Sequence, residues 1–312
     1  MPTLLHTAIR LHEAFRRPPA RDVPHMRPQP GSPRSQRGPA GGRARRTLPA
    51  ALLTLTLAIA PAACGLGREG HVSDPSVETL RVVSYNIRHG RGMDDVVNLE
   101  RTADVLRRLQ PDVVGLQEVD VGVERSGGED QPAVLGRLLG MEHAFGAFMD
   151  YRGGEYGMAI LSRHPIVEVH SVELPRGNEP RVALMVEIET PHGRRVPVIN
   201  VHFDWVADDG YRYAQASELA RTVEGLPSPF LLLGDFNDVP DSRTMELFRG
   251  LADEARKPVD DRLTFSSTDP RREIDHIFAG PPGAGRFTHT EVIDEPLASD
   301  HRPVVADWEF RP

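Results

Sequence analysis

Apolar positions between residues 80 and 310 fall into two periods, and the switches between them mark out the elements. Leu80-Arg81-Val82-Val83-Ser84-Tyr85-Asn86 is a β-branched run that predicts a strand. Leu99, Ala103, Leu106 and Leu109 keep helical spacing, and Gln110-Pro111 stops that helix. Residues 112–116 predict a short buried strand ending at Gln117-Glu118, and residues 131–139 a second helix. Strand-like runs follow at 157–161, 166–174, 182–188 and 196–202, with Pro165 and Pro191-His192-Gly193 at the breaks. The last two runs read as a hairpin. A third helix is expected over 211–223, then strands at 230–233, 274–278 and 304–310. Strands feeding helices early, with hairpins in the middle, predict an α/β protein of mixed sheets with helices outside. No internal repeat and no linker long enough to divide the chain interrupts residues 77–310.

The first 64 residues follow neither period. Residues 1–42 are rich in Pro, Arg and Gly, and read as disordered, or as untranslated if the true start is Met26. Arg43, Arg45 and Arg46 precede an apolar run over 48–63, broken by Pro49 and Pro61 and followed by Cys64-Gly65. A positive region, a short apolar region and small residues before a cut site describe a signal peptide over 43–64. Ala62-Ala63-Cys64 resembles a bacterial lipoprotein cleavage site, at which the thiol would be lipidated; a plain secretory signal cut near Ala63, or an uncleaved anchor, is the alternative. The run is shorter than the roughly 20 residues needed to span a bilayer. The expectation is an extracytoplasmic protein, secreted or lipid-anchored to the cell membrane through Cys64. Residues 65–78 read as a linker to a single domain over 79–312.

Charge and composition narrow the function. Beyond residue 64 the chain carries 27 basic against 43 acidic side chains, a net of −16. Such a body does not attract polyanions over long range, which disfavours non-specific DNA binding but allows a local basic groove or a metal. Cys64 is the only cysteine, so an intrachain disulfide and a multi-cysteine metal site are excluded. Two tryptophans, Trp205 and Trp308, offer little for membrane insertion.

The candidate chemistry lies at strand ends: Asn86, Glu118, His202, Asp235 with Asn237, Asp275, and Asp300 with His301. Singly, each has an ordinary explanation as a turn cap, a solvated terminus or a satisfied histidine. Jointly, four carboxylates and two imidazoles end otherwise apolar segments. If those ends converge, clustering like charges needs a cation or a chemical purpose. Oxygen-rich ligation without thiolate points to Mg²⁺ or Mn²⁺ rather than zinc. Hard cations held by carboxylates typically handle phosphate, and a His–Asp pair suits stabilising or protonating a phosphoryl oxygen. Read from the residues, the chemistry is metal-assisted hydrolysis of a phosphoester.

Seven segments carry a family resemblance: Ser84-Tyr85-Asn86-Ile87-Arg88, Leu116-Gln117-Glu118-Val119, Gly157-Met158-Ala159-Ile160-Leu161-Ser162, Asn200-Val201-His202, Gly234-Asp235-Phe236-Asn237, Ile274-Asp275-His276-Ile277-Phe278 and Ser299-Asp300-His301-Arg302-Pro303. Their order resembles the endonuclease/exonuclease/phosphatase superfamily across about residues 79–310. The resemblance implies a DNase I-like fold, a four-layer sandwich of two mixed β-sheets flanked by helices. It implies that Glu118 and Asn86 hold the metal, with Asp300 near or on it. Asp235 would orient or deprotonate the attacking water, Asn237 would bind the phosphate or position that water, and His202 would contact phosphate oxygens. His301, oriented by Asp275, would stabilise the transition state. Abasic-site endonucleases carry an acidic residue two positions after the first-strand Asn, where this chain has Arg88. Arg88 is more like DNase I and related phosphodiesterases and is a candidate substrate contact, as are Arg125, Arg152 and Tyr156.

The leading expectation is therefore a monomeric, Mg²⁺- or Mn²⁺-dependent phosphodiesterase or phosphatase acting outside the cytoplasm on a phosphate ester. A secreted DNase-like endonuclease is the runner-up, with DNA a less favoured substrate. A non-catalytic binding protein on the same fold is the reading from another class.

Overall fold

The computed structural model of the chain describes residues 77–226 and 229–311. The N-terminal segment (1–42), the signal peptide with Cys64 (43–64) and all but the last two residues of the linker (65–78) lie outside the described residues.

Twelve strands and four helices are formed among the described residues. The strands are β1 (Thr79–Asn86), β2 (Val113–Val121), β3 (Glu142–Tyr151), β4 (Gly154–Ser162), β5 (Ile166–Glu173), β6 (Val182–Glu189), β7 (Arg195–His202), β8 (Phe230–Asp235), β9 (Asp253–Glu254), β10 (Asp275–Gly280), β11 (Gly285–Val292) and β12 (Val304–Phe310). The helices are α1 (Leu99–Leu109), α2 (Gln131–Leu139), α3 (Gly210–Glu224) and α4 (Arg243–Arg249). Local chemistry sets the helix ends. Asn98, Asp130 and Ser242 each accept a backbone N–H three residues on, at the start of α1, α2 and α4. Gln110 and Gly140 close α1 and α2 in the left-handed conformation.

The strands pair into two mixed six-stranded sheets, in the orders β11-β12-β1-β2-β4-β3 and β5-β6-β7-β8-β10-β9. In each, one parallel pair sits centrally, β1 with β2 and β7 with β8. The predicted hairpin of 182–188 with 196–202 forms as β6 and β7, antiparallel. The sheets pack face to face. Leu80, Val82, Met158, Ile160 and Trp308 of the first meet Leu184, Val186, Val198, Leu231 and Ile277 of the second. The outer face of the first sheet buries Val83, Tyr85 and Leu116 under α1 and α2. The outer face of the second buries Ile199, Leu232 and Phe278 under α3 and α4. The predicted four-layer sandwich is the observed one.

Period-two alternation decides where the strand-end polar groups go. In β1, Leu80 and Val82 face the other sheet, so Ser84 and Asn86 do too; Val83 and Tyr85 face the helices. In β7 and β8, Val196, Val198, Leu231 and Leu233 face inward, which places Asn200, His202 and Asp235 on that same side. In β10, Asp275 shares its face with Ile277 and Ala279, whereas His276 and Phe278 turn outward. The polar residues that end these strands thus continue the apolar inner faces and fill the open edge of the sandwich.

Candidate active site

Register brings the second sheet's groups abreast. His202 pairs with Asp235 across the parallel β7 and β8, and Asp235 pairs with Asp275 across the antiparallel β8 and β10. From the first sheet, Asn86 pairs with Gln117, and the register of β2 against β4 shifts between Gln117 and Val119. Glu118 is the extra residue of that bulge, with φ at +57°. The bulge breaks the alternation and turns the Glu118 side chain to the cavity, a device common beside active sites. Asn237 (φ +52°) and Arg88 (φ +47°) are also left-handed.

The two sheets are tied together beneath the site by polar contacts. Gln117 Nε2 donates to Asn200 Oδ1 at 2.7 Å, and Asn200 Nδ2 donates to the carbonyls of Leu116 and Ala159, each at 2.9 Å. Above them, Asn86 Nδ2 donates to Asp235 Oδ2 at 3.1 Å and to Glu118 Oε1 at 3.2 Å. Asn86 Oδ1 accepts from Arg88 N at 3.1 Å. The amide therefore bridges two carboxylates, and its oxygen is already engaged by the backbone.

His301 stands in the segment leading into β12. Its Nδ1 lies 2.9 Å from Asp275 Oδ2, and its Nε2 lies 3.7 Å from Asp235 Oδ2. Ser299 fixes this segment, donating to Asn86 O at 2.7 Å and accepting from His301 N at 3.3 Å. Burial opposes the imidazolium, but the charges of Asp275 and Asp235 and the hydrogen bond to Asp275 prevail and push His301 up to about 10. Burial, with Asp275 adding to it, raises Asp235 above the usual carboxylate range. His202 Nε2 is 3.6 Å from the same Asp235 oxygen, yet burial and the positive charges of Arg181 and His301 hold His202 well below its ordinary value, in the neutral form. Asn237 donates its backbone N–H to Asp235 Oδ1 at 2.9 Å and its amide to Phe203 O at 3.0 Å.

These groups open on one cavity of about 420 Å³, lined by Glu118, His202, Asp235, Asn237, Asp300 and His301 among others. Burial and the neighbouring Asp300 charge raise Glu118. Arg88 Nε is 3.7 Å from Asp300 Oδ2, at the edge of ion-pair range. A divalent cation fits this donor set, since the carboxylates of Glu118 and Asp300 face the same cavity and their like charges oppose one another. Asp235, Asp275 and His301 also lie within metal-holding reach of one another. There the imidazole Nδ1 is taken by Asp275, which leaves Nε2, 3.7 Å from Asp235 Oδ2, as the ring's ligand atom. All the predicted site residues are thus brought together.

The further candidates divide. Arg125 lines the cavity but is bound by both oxygens of the buried Asp120, at 2.9 and 2.8 Å, and lies over Tyr151 and Tyr156. Tyr156 also lines the cavity. Arg152 is exposed in the turn between β3 and β4, over Tyr151. Arg181 and Trp205 are among the cavity residues that sequence reasoning does not single out. Arg181 is buried, donates to Glu179 Oε2 at 2.8 Å and lies over the Phe148 ring; its Nε and Nη1 have no hydrogen-bond partner among the described residues. Trp205 stands exposed on the cavity wall. Each is a single loop residue outside any period, and only the Glu179-Pro180-Arg181 approach to β6 hints at the first.

The chain is similar to proteins of known sequence and to solved structures, and the solved structures share its fold. The uncharacterized protein YbhP of Escherichia coli (strain K12) is 28% identical over 245 residues, covering 73% of this chain and 96% of its own. A crystal structure of an endonuclease/exonuclease/phosphatase family protein from Bacteroides thetaiotaomicron aligns with a TM-score of 0.64 at 20% identity, covering 76% of this chain and 99% of the other. The mannosyl-6-phosphatase of Bacteroides thetaiotaomicron VPI-5482 aligns with a TM-score of 0.60 at 20% identity, covering 73% and 99%. Residues 83–301, from the middle of β1 to the histidine beside Asp275, match the Endonuclease/Exonuclease/phosphatase family, a family of phosphoester hydrolases that generally use a divalent metal, and the chain belongs to it.

Proposed function

We propose that the protein is a divalent-cation-dependent hydrolase of a small organic phosphoester, acting outside the cytoplasm. The observation that carries this reading is His301, held between Asp275 and Asp235 and kept protonated by them, on the wall of a cavity shared with Glu118 and Asp300. A fixed cation of this kind is suited to the charge that develops on phosphoryl oxygens. Asp235, raised by burial, is suited to orient a water and take its proton near neutral pH. The second amide hydrogen of Asn237 and the neutral imidazole of His202 are free to meet the phosphate oxygens. Glu118 and Asp300 would hold the cation, with the Asn86 amide beside them; when bound, it supplies further neutralisation of the phosphoryl charge. Mg²⁺ and Mn²⁺ both suit such ligands.

The arginines near the cavity favour a small substrate over a polynucleotide. Arg125 is bound to Asp120, Arg181 gives one nitrogen to Glu179 and Arg88 stands beside Asp300, which leaves Arg272, donating to the carbonyl of Asn237, as the cavity arginine without a carboxylate partner among the described residues. A duplex reader would need such charges free for phosphates. The apolar run before Cys64 supports export, and a lipidated Cys64 would be the membrane contact.

The test is a panel of phosphomonoesters, phosphodiesters, phospholipid headgroups and plasmid DNA, with EDTA-treated and Mg²⁺-restored protein. Metal-restored cleavage of small esters with DNA intact supports the proposal, whereas cleavage of DNA alone favours the nuclease. Unchanged hydrolysis in both His301→Ala and Glu118→Ala would overturn the catalytic assignment.

A further inference from the structure

Trp205 is 58% exposed on the wall of the active-site cavity. A single exposed apolar side chain ordinarily needs no explanation. This one sits on a loop whose backbone is hydrogen-bonded on both sides of it. Asp204, fully buried, donates its N–H to Gln215 Oε1 at 3.0 Å, and its carboxylate accepts Val206 N at 3.2 Å. Arg212 donates to the carbonyls of both Asp204 and Val206, and its Nε lies 3.3 Å from the buried Asp238. The same Asp204 carboxylate reaches the neighbouring rim, accepting Asn178 N at 2.6 Å and Glu179 N at 3.4 Å. Gly177 makes that approach possible: a Cβ there would stand 2.3 Å from Asp204 Oδ2. The loop bearing Trp205 and the segment bearing Glu179 and Arg181 are therefore one stapled rim.

The rim joins three kinds of surface. The indole offers an apolar face, Glu179 an acceptor, and Arg181 a buried guanidinium with two nitrogens unpartnered among the described residues. Met149 and Tyr151 line the same cavity. A phosphate needs none of the apolar surface, whereas a ring with a flat face and a polar edge uses all of it.

We propose that Trp205 is the platform of a leaving-group subsite, and that the substrate is a phosphoester whose leaving group carries a ring stacked on the indole, with polar edge groups meeting Glu179 and Arg181. The subsite orients the organic part, while the phosphate lies toward His301. This inference rests on the hydrolase reading for the phosphate end; the ring end is read out separately.

Trp308 is 1% exposed and packed against Phe310, so a change in emission reports Trp205. In EDTA, with hydrolysis silenced, AMP, glucose 6-phosphate, glycerol phosphate and inorganic phosphate are titrated while tryptophan emission is followed. AMP tests a nucleobase and glucose 6-phosphate a sugar. A saturable change with either ring compound, absent with glycerol phosphate and inorganic phosphate and lost in Trp205→Ala, is expected. With metal restored, Trp205→Ala should lower kcat/KM for the ring ester relative to glycerol phosphate by about 5- to 150-fold, the size of one lost stacking contact, and Trp205→Phe should recover part of it. No emission change with either ring compound, or an unchanged ratio in Trp205→Ala, overturns the subsite. Emission changes without hydrolysis of any ester would keep the subsite and sink the hydrolase reading instead.

Discussion

Asn86 and Asp235 meet across the seam between the two sheets, the amide of one donating to the carboxylate of the other at 3.1 Å, and the same nitrogen stands 3.2 Å from Glu118. One neutral side chain thus separates two carboxylates of opposite sheets. Asn86→Ala leaves both without that donor in a buried setting, and should cost about 1–3 kcal/mol. Urea unfolding of the metal-free variant checks this, and an unchanged midpoint would mean that water replaces the amide at no cost.

Asp235→Asn keeps the shape of the site and removes its proposed base. Hydrolysis should fall by roughly 10²–10⁴. The metal-free variant should be no less stable than the parent above neutral pH, because burial disfavours the Asp235 carboxylate in its charged form. A variant that keeps its rate moves the role of base to another group.

The pH dependence of stability follows from His301. Its folded value, about 10, lies above its unfolded value of 6.5. Its ion pairs therefore stabilise the fold fully below about pH 6.5, and the contribution fades as pH rises through 10. The urea midpoints of wild type and His301→Gln, both metal-free, should be furthest apart near pH 6 and converge by about pH 10.5. Asp275→Asn should bring the His301 imidazole titration, followed by NMR, to lower pH. A titration unmoved by Asp275→Asn would remove that pair as the cause.

Glu118→Gln tests the cation site without relying on turnover. Mg²⁺ or Mn²⁺ affinity by calorimetry should fall by about 10–100-fold, at least the loss seen when an outer partner of a metal ligand is removed. An equal affinity would shift attention to the alternative grouping of Asp235, Asp275 and His301.

Gly115 stands where the sheets touch. A Cβ there would come 2.8 Å from Leu233 Cδ1 and 3.0 Å from Asn200 Oδ1. Gly115→Ala should cost about 1–3 kcal/mol by overpacking, a fall in Tm of about 2–4 °C per kcal/mol for a domain this size. A Tm equal to wild type would show that the Leu233 and Asn200 side chains can both give way.

Much of this arrangement was legible in the chain. The strand runs, the three longer helices and the polar strand ends are all periodic signals, and the helices end where Gln110-Pro111 and the caps place them. What escaped had weak periodicity. β3 turns Ala144 and Gly146 inward, small residues with little strand preference, because Leu184 of the other sheet packs against them. β11 is an edge strand with most side chains in water, and α4 is only seven residues long. Glu118 was recognised as a strand terminus, but β2 runs on to Val121, and the bulge that aims its side chain has no sequence signature. Asn86 is expected beside Glu118 at the cation; in the fold its oxygen accepts Arg88 N and its amide nitrogen faces the carboxylates, contacts that its place in the sequence does not signal. Trp205 and Arg181 gain meaning only from the fold, which brings two loops to one rim.

The division of the site between the sheets has a consequence for how the protein comes into being. Asn86 and Glu118 arrive on one sheet, His202, Asp235 and Asp275 on the other, and His301 on a segment more than 200 residues after Asn86 in the chain. On the hydrolase reading proposed above, neither half would do chemistry alone, so a nascent or half-assembled chain would be silent, and the first turnover would mark the docking of two hydrophobic faces whose polar ends complete one another.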